Sequence, residues 1–147
     1  MIVYRITLAK YSNQLVASGR PARWNSNGTF MIYSASSRAL ACLENLVHRG
    51  SEGRNDAFKT LVIDIPDNII PEEYPKDRLP KRWTTYKGQL RTKFIGDGWI
   101  KSRRSLIMKV PSAIIPEESN YLINPNHPDY PKVRIISVED FNFDMRI

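Results

Sequence analysis

FMIYSASSRALACLENLVHRG, residues 30–50, is the stretch that decides the fold, because it runs from a strand directly into the one strong helix of the chain. Phe30 to Tyr33 reads as a short strand. Ser36 follows as an N-cap, its hydroxyl able to accept from a free backbone N–H of the first turn, and Gly50 is the natural stop. Between them Leu40, Leu43, Leu46 and Val47 recur at helical spacing and predict a buried stripe, with Glu44 at its margin beside Leu40 and His48. Glu44 is thereby expected to border the core.

Upstream, Ile2 to Thr7 (IVYRIT) alternates apolar and polar residues as a half-buried strand does, and Arg5 points away from the face of Tyr4 and Ile6. Ser18-Gly19-Arg20-Pro21 and Asn25-Ser26-Asn27-Gly28 then place Arg23 on an irregular loop. Downstream, Lys59 to Pro66 (KTLVIDIP) reads as a central strand and Pro66 to Pro80 as a long surface connection. Gln89 to Ser102 reads as a second helix weakened by Gly96 and Gly98. Leu106 to Val110 and Val133 to Val138 are further strands, separated by turns at Asn124-Pro125 and His127-Pro128. Strands outnumber helices without regular β-α-β alternation, so the expected class is α+β, and no internal repeat is visible.

A chain of 147 residues fits one domain, 1–147, that buries roughly 70% of its unfolded surface. Apolar content of 41% and charged content of 25% exclude a disordered chain. Twenty-two basic against fifteen acidic residues leave a formal charge of +7, which favours an anionic partner without choosing nucleic acid, metabolite or acidic protein. The single cysteine, Cys42, excludes an intramolecular disulfide, and His48 and His127 lack zinc-ligand spacing, so no metal is expected. No stretch reaches the roughly 20 apolar residues that span a bilayer, so neither membrane insertion nor export is expected and the cytoplasm is the expected compartment.

Four residues stand out as candidates: Arg23, Tyr33, Glu44 and Ser112. Each has an ordinary alternative. Glu44 could simply pair with His48 or Arg49, Arg23 could be a solvated loop charge, and Tyr33 a core phenol with its hydroxyl at the surface. Ser112, after Pro111, could cap backbone groups of a turn. It lacks the elbow and the partners of a nucleophilic serine, and no dinucleotide fingerprint or phosphate loop is present. Cys42 inside a helix is a packing residue by default. Lys101-Ser102-Arg103-Arg104 fits a solvated helix end better than a nucleic-acid patch.

Taken together, Arg23-Trp24 followed by Gly28, then IYSASSRALACLENLVH, Ile95-Gly96-Asp97-x-Trp99 and VPSAIIPEESNYLINPNHPDY resemble the RES domain family, toxins of bacterial toxin-antitoxin pairs. The resemblance runs from Tyr4-Arg5 to Phe143-Asp144-Met145-Arg146. Gly98 departs from it, since members usually carry a better helix former there. It implies a compact α+β domain similar to ADP-ribosyltransferases, with a mixed sheet and flanking helices, that takes NAD as a substrate and needs no resident cofactor. The implied activity is hydrolysis or phosphorolysis of NAD, with ADP-ribose transfer to a protein as the alternative. Arg23, Tyr33, Glu44 and Ser112 become the implied active constellation, with Arg5, Arg23 and Tyr33 binding the substrate. In this expectation Arg23 and Arg5 hold the pyrophosphate, Tyr33 stacks on nicotinamide or ribose, and Ser112 positions a ligand oxygen. An Xre-type helix-turn-helix antitoxin and a toxin homodimer are the implied partners, with no nucleic-acid contact by this chain. Two rivals remain: a ribonuclease using His48 or Glu44 as its base, and a non-catalytic module binding an acidic partner.

Overall fold

The computed structural model describes residues 1–49 and 57–147. Within them seven strands form one sheet: β1 (Ile2–Leu8), β2 (Ile32–Ala35), β3 (Phe58–Asp64), β4 (Glu72–Glu73), β5 (Ile107–Pro111), β6 (Ser119–Ile123) and β7 (Arg134–Phe141). Their spatial order is β4-β5-β6-β2-β1-β3-β7. Only β4 and β5 run parallel, so the sheet is mixed and the class is α+β. β3, carrying TLVI, is flanked by β1 and β7 and is central to its half of the sheet, as its run of β-branched and aliphatic residues requires.

Both helices, α1 (Arg38–Arg49) and α2 (Gln89–Ser102), lie on the sheet face that carries Tyr33, Ala35 and Leu122. α1 seats Leu40 and Ala41 against Ile6, Ala35 and Phe58, while α2 seats Trp99 and Ile100 against Trp24, Met108 and Leu122. The opposite face holds Val3, Ile32, Leu61, Ile63, Ile107 and Ile123, covered by half-buried Leu15, Ala17, Ile69 and Tyr130 from the connections. No helix among the described residues is long and apolar enough to cross a membrane.

Several boundaries differ from the sequence expectation. The N-cap of α1 is Ser37, whose Oγ accepts from Leu40 N at 3.1 Å, and not Ser36. The buried stripe is narrower than Leu40, Leu43, Leu46 and Val47: Leu43 and Leu46 are half-buried and Val47 is 60% exposed. The reason is that α1 turns Ala41, Glu44 and Asn45 toward a cavity, so its inner face is partly polar. Gly50 lies outside the described residues. The short strand runs over 32–35 and not 30–33. β6 was unforeseen, because inward-facing Asn120 breaks the apolar alternation of SNYLI, and β4 is too short to leave a pattern.

α2 spans the expected residues, and Gly96 is no weakness. A Cβ on Gly96 would stand 1.8 Å from the carbonyl oxygen of Trp24, so only glycine lets the helix lie on the Arg23–Trp24 turn. Gly98 has open space where a Cβ would go.

Candidate active site

β1 and β2 pair at Tyr4↔Ala35 and then diverge, which opens the sheet between Arg5-Ile6 on one strand and Tyr33-Ser34 on the other. The split exposes backbone groups that a continuous ladder would satisfy. Side chains take over: Arg5 Nη1 donates to Tyr33 O at 3.0 Å, and Asn45 Nδ2 of α1 donates to Ile6 O at 3.1 Å. The gap is roofed by α1 and by the 18–25 loop, leaving a cavity of about 370 Å³, in the size range of small-molecule sites.

Glu44 is the one acid lining this cavity among the described residues. Oε1 accepts from Ser112 Oγ at 2.8 Å and from Asn120 Nδ2 at 2.6 Å. Ser112 follows β5 and Asn120 is the second residue of β6, and the strand register points both at the helix-bearing face. Oε2 lies 3.7 Å from His48 Nε2, one turn along α1, an ion pair only when the imidazole is protonated. Burial pushes the Glu44 carboxyl up, yet hydrogen bonding from His48, Asn120 and Ser112 outweighs it and holds the group below its ordinary value. The carboxylate is ionised at neutral pH.

Tyr33 lines the cavity with its hydroxyl turned inward, not to the surface. Oη donates to Asn25 Oδ1 at 2.6 Å and accepts from Trp24 N at 3.1 Å. Burial drives its pKa far above the ordinary phenol value, opposed only in part by the Trp24 N–H, so the phenol stays protonated and is no base. Arg5 also reaches the cavity wall, but its guanidinium is turned to Tyr33 O and, at 3.4 Å, Val16 O. Burial lowers its pKa, with the nearby Tyr130 and Tyr33 phenols acting the other way.

Arg23 and Ser112 are placed differently from the other two candidates. Arg23 sits in a turn closed by an Ala22–Asn25 bridge, and its guanidinium donates to the carbonyls of Trp83 (2.8 Å), Thr84 (3.1 Å) and Thr85 (3.3 Å). It does not line the cavity. Ser112 is fully buried; besides donating to Glu44, its Oγ accepts from the N–H groups of Ile114 and Ile115 at 3.1 Å. Its contact is the carboxylate and a turn, in place of the expected ligand oxygen. Asn120, Asn25, Asn45 and Arg20 were missed as site residues. Arg20 carried a visible signal, as a cation in a Gly-Pro loop; Asn120 inside a strand, Asn45 inside α1 and Asn25 in a polar turn carried none.

Fold and site together define an α+β domain of the ADP-ribosyltransferase-like kind, with a single carboxylate at a cleft in the sheet. The chain belongs to the RES domain family, matching the RES domain over residues 2–145. It is 38% identical over 127 residues to the Prs ADP-ribosylating toxin of Sphingobium sp. (strain YBL2), covering 85% of this chain and 79% of that protein. It is 37% identical over 153 residues to a Toxin Res of Photorhabdus laumondii, covering 100% of this chain and 97% of that one. A Toxin Res of Yersinia enterocolitica is 35% identical over 153 residues, with 100% and 99% covered.

Proposed function

We propose that the chain is a toxin that breaks the nicotinamide–ribose bond of NAD. The observation that carries this is Glu44, a lone carboxylate held ionised at the cavity wall against burial by hydrogen bonding from His48, Asn120 and Ser112. When this bond breaks, the electron pair returns to the pyridinium ring and nicotinamide leaves neutral. No general acid is required, in contrast to the two carboxylates of ordinary glycoside hydrolysis. Positive charge grows instead on the ribose, and a fixed anion beside it stabilises the transition state more than the ground state.

In this mechanism Glu44 faces the sugar, Ser112 and Asn120 hold its orientation, and the Tyr33 ring forms a wall that excludes water from the reacting bond. The acceptor is water or phosphate, giving NAD depletion. Transfer of ADP-ribose to a protein is the second reading, favoured by the similarity to a relative named as an ADP-ribosylating toxin. NAD is consumed as substrate and no resident cofactor enters. An Xre-type antitoxin that covers the cleft, a toxin homodimer and a cytoplasmic site of action complete the proposal.

Incubating the purified protein with NAD, with and without phosphate, and weighing the products separates the acceptors. Glu44→Gln should cut nicotinamide release about 100-fold or more while leaving the far-UV spectrum and melting cooperativity intact. Undiminished turnover in a folded Glu44→Gln protein would sink the mechanism.

A further inference from the structure

We propose that Arg20 is the cation that grips the phosphate of the substrate, so that the site selects a nucleotide over the bare nucleoside; this rests on the NAD reading above. The cations near the cavity are not equivalent. Arg5 is turned to the carbonyls of Tyr33 and Val16, and Arg23 to those of Trp83, Thr84 and Thr85. Arg20 lines the cavity, is exposed, and its guanidinium makes no hydrogen bond or ion pair among the described residues. All five of its N–H donors are available, in the planar fork that matches a phosphate.

The root of this side chain is held while its tip is free. Arg20 O accepts from Asn25 Nδ2 at 2.9 Å, and Arg20 N donates to Ser18 Oγ at 3.2 Å. Gly28 N donates to Gly19 O at 2.8 Å, and Gly19, at φ +70°, has no room for a Cβ, which would stand 2.8 Å from the Phe30 ring. Asn25 is itself fixed by the Tyr33 hydroxyl at 2.6 Å. The series Tyr33, Asn25, Arg20 thus ties the cavity wall to the cation at its rim. A preorganised backbone with an unspent charge-assisted donor is the economical way to add affinity for an anion.

The test compares NAD with nicotinamide riboside, which has the same scissile bond and no phosphate. Arg20→Ala should lower the ratio of kcat/KM for NAD to that for the riboside by about 10- to 100-fold, mainly through KM. Arg20→Lys should recover part of it. Tyr33→Phe should lower the same ratio, and the double variant should lose less than the product of the two single losses. An equal fall for both substrates, or no fall, overturns the assignment; multiplicative losses overturn the tie through Asn25. Titration calorimetry with ADP-ribose tests Arg20 even if wild type releases no nicotinamide. Binding weakened about tenfold in Arg20→Ala then supports the phosphate grip while the NAD reading fails. Equal binding, or none by wild type, overturns it.

Discussion

Ser112→Ala isolates what keeps the Glu44 carboxylate charged and in place. The substitution removes one charge-assisted hydrogen bond of 2.8 Å to Glu44 Oε1 and leaves the N–H groups of Ile114 and Ile115 without their acceptor. The first loss is worth about 1.5–3 kcal/mol, and the two N–H groups, at about 1 kcal/mol each in partly buried surroundings, bring the total to about 3.5–5 kcal/mol near pH 7. The pH dependence divides the two contributions. Glu44 titrates in the fold below its unfolded value, so its ionised form stabilises the fold above the ordinary glutamate range, and that contribution is lost as pH falls through the folded pKa. Losing Ser112 removes one of the bonds that lower this pKa, so the difference in stability between wild type and Ser112→Ala should narrow as pH falls below the ordinary glutamate range. The backbone share does not titrate, so the gap should narrow without closing. Urea denaturation of both proteins across this range measures it directly. A gap that stays constant until the Glu44 carboxyl is protonated would show that Ser112 acts on the turn alone, and the hydrogen bond to Glu44 would have to be given up as an energetic link.

The remaining predictions concern the frame of the site. Gly96→Ala should cost about 3 kcal/mol or more, since Trp24 O lies 1.8 Å from the new Cβ and backbone must move. Gly98→Ala, into open space on the same helix, should stabilise by up to about 1 kcal/mol; equal effects at the two positions in thermal melts would contradict the close approach. Arg23→Ala should cost about 1–2 kcal/mol and speed amide exchange over 83–85, because three carbonyls lose their donor. Unchanged exchange there would show that the guanidinium spends its time elsewhere.

The hydrophobic code was readable where one face of an element is uniformly apolar. IVYRIT and KTLVIDIP form β1 and β3, and α2 covers the residues its pattern suggested. It misled where an element serves the cavity. α1 has Leu40 and Ala41 on its inner face but also Glu44 and Asn45, so counting leucines drew the stripe too far round, to Val47. β6 was hidden by Asn120, whose side chain faces the interior because it holds Glu44. Of the candidates, Glu44 and Tyr33 do line one cavity; neither was legible alone, since an acid at a helix edge ordinarily pairs with a neighbouring base such as His48, and only the order of motifs across the chain brought them together. The placement of Arg23 and Ser112 was not legible, since the 83–85 carbonyls and the Ile114–Ile115 turn reach them only through tertiary contacts. Gly96 was misread for the same reason: helix propensity is local, and the approach of Trp24 is not.

The donors around Glu44 explain why one carboxylate is enough for the proposed chemistry. An arginine in place of Ser112 or Asn120 would hold the carboxylate ionised too, but would cancel its field at the distance of a bound sugar. A hydroxyl and an amide carry no net charge, so they lower the cost of ionisation through dipoles and leave the full negative charge directed into the cavity. The arginines spend their donors elsewhere: Arg23 is turned to backbone carbonyls of 83–85 while still feeling the Glu44 charge, Arg5 is turned to those of Tyr33 and Val16, and Arg20 stands at the rim. His48, at 3.7 Å, helps to hold the carboxyl down and adds a compensating charge solely in its protonated form. Negative charge at the wall and positive charge at the rim match a substrate whose reacting end becomes a cation and whose other end carries phosphate. The net +7 of the chain then acts at the level of encounter, drawing the anionic end in, while Glu44 acts on the bond that breaks.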